Sequence, residues 1–74
     1  MICKRLFDNY DTIPQLLQGL KRFAIARDLE RHALSYAPRL RKSKHHAELQ
    51  AMFPSAINTI DLIKQLSEHV RRLP

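Results

Sequence analysis

A chain of 74 residues with 13 Lys and Arg against 7 Asp and Glu has a formal charge of +6, which fits one domain whose field attracts anionic partners. Its one cysteine, Cys3, excludes an intrachain disulfide and a cysteine-built zinc cage, and no apolar run approaches the roughly 18 to 20 residues of a membrane span. So short a chain buries only about 60% of its unfolded surface, which leaves tight helix packing and self-association as sources of stability and predicts a homo-oligomer, in the simplest case a dimer.

From the N-terminus, Cys3, Leu6, Phe7 and Tyr10 fall at i, i+3, i+4 and i+7, the spacing of one face of a short helix or helical arm over residues 1–11. A short β-strand from Ile2 to Phe7 is the alternative, and Asp8 to Asp11 reads as a turn. Lys4 and Arg5 stand where a secretory leader needs apolar residues. With the lone thiol, that predicts a cytoplasmic protein.

Asp11 or Thr12 caps a helix whose first turn contains Pro14, a position where a missing N–H costs nothing. Its predicted limit is Ala37, because Pro38 cannot continue the ladder and restricts the residue before it. Ile13, Leu16, Leu17, Leu20, Phe23 and Ala24 trace one apolar stripe, but Arg27 and Arg31 then occupy that face, while Ala26, Leu29, Ala33, Tyr36 and Ala37 lie on roughly the opposite one. An unbroken helix over 12–37 with different neighbours along its length is the favoured reading, since no Gly or Pro marks the switch. A break near Arg27, with Asp28 capping a second helix, is the alternative.

Residues 38–53 open with the basic run Arg39, Arg41, Lys42 and Lys44, followed by His45 and His46. The run is predicted as a loop or frayed first turn in a basic connector, with a short helix from about Lys44 to Met52. Ser55 then caps the best-specified element, an amphipathic helix over 55–73. On it Ala56, Ile60, Ile63, Leu66, Val70 and Leu73 face inwards and Asp61, Lys64, Gln65, Glu68, Arg71 and Arg72 face outwards. Together these elements predict an all-α single domain over 1–74, a small helical hairpin or three-helix bundle, dimeric, with the 12–37 helix packed on the 55–73 helix.

Catalysis needs perturbed groups in an enclosed pocket, and a chain this short has little volume for one, so no enzyme and no catalytic residue are predicted. Cys3 would serve as a nucleophile only beside a base such as His32 or His69. His45, His46 and Glu48 lack the i, i+4 histidine pair of a ready chelate, so no metal and no cofactor are expected, and the two histidines read as solvated extensions of the basic patch.

Two features point to binding. One is the basic run, widened by Lys21, Arg22, Arg27 and Arg31; the other is a surplus of apolar residues off the main stripes, namely Leu34, Tyr36, Leu49, Met52, Phe53 and Ile57. The predicted function is a small regulatory or inhibitory protein that docks on the acidic surface of a larger protein through Tyr36, Arg39, Arg41, Lys42, Lys44, Met52 and Phe53, a set rich in the types enriched at interfaces.

The alternative is a nucleic-acid-binding regulator or architectural factor that uses residues 39–44 on phosphates. Against it stand the lack of a helix grouping Asn, Gln and Arg on one face, and of any turn with glycine before the candidate readers Asp28 to Ala37 and Lys44 to Met52. Membrane-surface binding ranks third, because the last helix lacks aromatic anchors. Small basic chains of this style fit phages and mobile elements.

Overall fold

The computed structural model describes residues 6–22 and 24–74, and its described residues form five helices and no strand: α1 (Ile13–Arg22), α2 (Ile25–Arg31), α3 (Ala33–Lys42), α4 (His46–Met52) and α5 (Thr59–Arg71). Cys3, Lys4 and Arg5, and with them most of the predicted N-terminal helix or strand, lie outside the described residues. Leu6 to Asp8 form a turn that inserts Leu6 and Phe7 into the core.

The described residues form a five-helix assembly, more helices than the predicted hairpin or three-helix bundle, and α5 is its hub: α1, α2, α3 and α4 all pack on it. The sequence accounts for that role. Thr59, Leu62, Ile63, Leu66, Ser67 and Val70 are all buried, an arc of about 140° that Thr59, Leu62 and Ser67 join while the predicted Ile60 and Leu73 are only partly buried. A wide apolar arc can be covered from several sides, whereas a narrow seam takes one partner. The outline, 27 × 25 × 24 Å, follows from four short helices around one.

The predicted continuous helix over 12–37 is two breaks and three helices. The first break is at Ala24, which is in the left-handed region at φ 56° and ψ 23°. Its cause is the change of side already visible in the sequence: Leu16 and Leu20 lie on one helical face, Ile25, Ala26 and Leu29 on nearly the opposite one, and all five are buried. A straight helix would turn one set to solvent; a left-handed residue redirects the chain so that both α1 and α2 reach α5. The break thus falls before Arg27, and Asp28 is inside α2 rather than at its cap.

The second break, at His32, is a kink. His32 ends α2 by donating its N–H to the Asp28 carbonyl, 2.9 Å, and starts α3 by accepting from the N–H groups of Ser35 and Tyr36. The apolar stripe of Ile25, Ala26 and Leu29 continues in phase into Ala33, Tyr36, Ala37 and Leu40, so α2 and α3 both stay on α5.

Pro38 does not end this helix; α3 runs through it to Lys42. The proline leaves the Leu34 carbonyl without its helical donor, but Leu34 and Pro38 both face solvent, where water replaces the bond, and Tyr36, Ala37 and Leu40 hold the inner side. The basic run is therefore helical: Arg39, Arg41 and Lys42 form the last turns of α3, where cations also suit the negative end of the helix.

The final helix begins later than predicted. Asn58, not Ser55, is its cap, with the Asn58 side chain accepting from the Asp61 N–H at 2.8 Å while Asp61 Oδ2 accepts from the Ile57 N–H at 3.2 Å. Ser55 instead donates to Gln65 Oε1, and Gln50 donates to the Ala56 carbonyl, so the loop between α4 and α5 is closed on both sides.

Candidate functional site

The exposed residues of α3 are Leu34, Ser35, Pro38, Arg39, Arg41 and Lys42. At 100° per residue they fill one continuous arc of about 160°, and the residues between them form the core side. The helix contains no acidic residue, and no carboxylate of a described residue forms an ion pair with Arg41 or Lys42. Leu34 is 77% exposed, a large apolar side chain in the same arc as three cations.

Arg41 is held in place. Its Nε donates to Thr59 Oγ1 at 3.2 Å, which fixes the guanidinium against the first residue of α5. Two residues before Thr59 stands Ile57, 86% exposed, its backbone fixed by Asp61 as described above. Arg27 and Arg31 on α2 are exposed as well and lie ahead of this face in the chain.

The remaining predicted contact residues are elsewhere. Tyr36, at 7% exposure, belongs to the core, because it falls on the α3 stripe with Ala33, Ala37 and Leu40 that packs on α5. Lys44 is exposed but pairs with Asp11 at 3.1 Å, a mutually exposed ion pair that links the turn before α4 to the N-terminal segment and contributes less than about 1 kcal/mol. Phe53 is half-buried and meets His69 edge-on, ring centroids 5.6 Å apart. His69 is ten residues along α5 from Thr59, about 15 Å, so Phe53 and its neighbour Met52, 40% exposed, are not part of the basic face. Of the surplus apolar residues, Leu49 is core, while Leu34 and Ile57 are the most exposed.

The histidines divide. His46 is half-exposed, whereas His45, read from the sequence as solvated, is buried at 1% exposure. The His45 Nε2–H donates to the Tyr10 carbonyl, which can only accept, and Nδ1 is buried without a hydrogen-bond partner. Two chain segments 35 residues apart meet there, which explains why a polar ring was drawn inside: it serves a backbone carbonyl of a loop that lacks helical partners. Among the described residues no three His, Cys, Asp or Glu side chains converge as metal ligands, and no helix is long and apolar enough to cross a membrane.

Sequence reasoning counted Leu34 and Ile57 among the surplus apolar residues but left them out of the predicted contact set, and it missed Thr59. The first two were visible as apolar residues off every stripe; Thr59 carried no signal, because its partner Arg41 is 18 residues away. Comparison with protein-family models, with curated proteins and with solved structures gives no match for this chain.

Proposed function

We propose that the chain is a small basic regulatory or inhibitory protein that docks on a larger protein through the exposed face of α3 and blocks or modulates the acidic surface it covers. The observation that supports this reading is the placement of Leu34, 77% exposed, on the same acid-free face as Arg39, Arg41 and Lys42. An apolar anchor beside cations is the composition of a protein interface: desolvating the leucine supplies affinity, and the cations select and orient the partner. A face built for phosphates gains nothing from an exposed leucine beside its cations.

The mechanism is steric. A helix of 10 residues fixed to a hub helix presents a rigid surface that loses little conformational freedom on binding. In this reading Tyr36 acts behind the site, holding α3 on α5, and Arg39, Arg41 and Lys42 act at it.

The test is a photo-crosslinking amino acid at position 38, used in cells that make the protein, with the same probe at position 64 on α5 as a control. Protein adducts at 38, absent at 64 and lost when Arg39, Arg41 and Lys42 are changed to Glu, are the expected result. Nucleic-acid adducts at 38, or protein adducts indifferent to the charge reversal, would overturn it; adducts to a second copy alone would make the face a dimer interface instead.

A further inference from the structure

The exposed face of α3 carries a fixed cation, Arg41, and an exposed apolar side chain, Leu34. Leu34 and Arg41 are seven residues apart on one helix, so they lie on the same side about 10.5 Å apart along its axis. The bond from Arg41 to Thr59 Oγ1 ties the guanidinium to the start of α5, and Ile57, 86% exposed, stands two residues before Thr59 in the chain.

With Nε of Arg41 engaged by Thr59, its two Nη groups remain as a planar fork whose direction is set, the geometry that grips a carboxylate with two parallel hydrogen bonds. No carboxylate of a described residue pairs with Arg41 or Lys42, whereas Lys44, Arg71 and Arg72 pair with Asp11, Glu30 and Glu68.

We infer that the occupant of this face is an acidic amphipathic helical segment of the partner protein. Its apolar stripe seats on Leu34; an Asp or Glu about two turns along, beside that stripe, forks onto Arg41, and another faces Lys42. This rests on the docking reading above and adds the chemistry of the partner. A phosphate backbone would satisfy the cations but would press charge against the exposed leucine. A second copy placing its own α3 here would set Arg41 and Lys42 against the same cations.

The experiment is fluorescence anisotropy of a labelled peptide of about 18 residues, long enough to hold a helix, made of Leu, Ala and Glu with leucines on one stripe and glutamates beside it, titrated with the intact chain. Saturable binding is expected, weakened about tenfold or more by Arg41→Gln and by Leu34→Ser, partly retained in Arg41→Lys, and unchanged in Lys64→Ala. Replacing the peptide's Glu by Lys, or scrambling it so that leucines ring the helix, should remove binding. Circular dichroism establishes that each variant is folded. Equal binding of ordered and scrambled peptides, wild-type affinity in Arg41→Gln and Leu34→Ser, or no peptide binding would overturn the inference. If the peptide fails while crosslinking at position 38 still captures protein in a charge-dependent way, the docking reading stands and only the partner's chemistry falls.

Discussion

The phenol ring of Tyr10 occupies the space that a β-carbon on Gly19 would need: its Cζ and Oη lie well inside contact distance of that position. Gly19 is in the body of α1, where glycine costs about 1 kcal/mol relative to alanine, so its presence is explained by the ring rather than by the helix. Gly19→Ala must push the ring aside, and the Tyr10 carbonyl is tied down by His45. Overpacking of this kind costs about 1 to 3 kcal/mol, which outweighs the gain in helix propensity. The expected result in urea denaturation is a net loss on the order of 1 kcal/mol for Gly19→Ala, and a gain of about 0.5 to 1 kcal/mol for the same change in a Tyr10→Ala background. Stabilisation in both backgrounds would show that the ring swings away freely.

His45 supplies the donor for the Tyr10 carbonyl from inside the protein. His45→Phe keeps a ring of similar size in the cavity and removes the donor, so the carbonyl is left to open towards water or remain unsatisfied. The expected cost is about 1 to 3 kcal/mol in equilibrium unfolding. Amide exchange should show where it is felt: the N–H groups of residues 9–12 should exchange faster, while those of Leu62 to Leu66 change only with global stability. Uniform loss of protection would mean that the ring matters by its volume and not by its hydrogen bond.

Ala24 carries the left-handed turn between α1 and α2 on a residue with a β-carbon. That conformation costs an alanine about 1 to 2 kcal/mol, against which a glycine loses about 0.4 to 1 kcal/mol through greater freedom when unfolded. Ala24→Gly should therefore stabilise the chain by about 0.5 to 1 kcal/mol, a rise of a few degrees in Tm for a domain of this size. Ala24→Val, whose branched side chain suits the left-handed region still less, should lower Tm. If Ala24→Gly lowered it too, the turn would be held by the packing of the alanine methyl.

What the sequence made legible was which side chains face inwards. The inward positions Leu16, Leu20, Ala26, Leu29, Ala33, Ala37, Ile63, Leu66 and Val70 are buried as their periodicity required, because apolar spacing reports burial directly. It did not reveal how the chain turns between those faces. The switch of sides near residue 24 was plain, but no glycine marked the left-handed residue that carries it, so propensity favoured a straight helix. The arc of Arg39, Arg41 and Lys42 was found by charge alone. Leu34 and Ile57 stood among the surplus apolar residues, but spacing alone did not separate them from a core residue such as Leu49. Tyr36 was misplaced although the sequence puts it on one face with Ala26, Leu29, Ala33 and Ala37: interface and core draw on the same residue types, and it is the phase that decides here.

Pro38 offers the last test, since it stands inside α3 against the usual rule. Intrinsic preference puts proline about 3 kcal/mol below alanine in a helix interior, and the part of that penalty due to the missing bond is reduced here because the Leu34 carbonyl faces solvent. Proline also restricts the unfolded chain, which offsets up to about 1 kcal/mol more. Pro38→Ala should still stabilise the protein by about 1 to 2 kcal/mol in urea denaturation, with a newly protected amide at position 38 and no loss of acidic-peptide binding, because Leu34 and Arg41 remain in place. A stabilised variant that binds the peptide less well would show that the proline ring, lying between Leu34 and Lys42 on the exposed face, is itself a contact, and that the helix keeps it at the expense of its own stability.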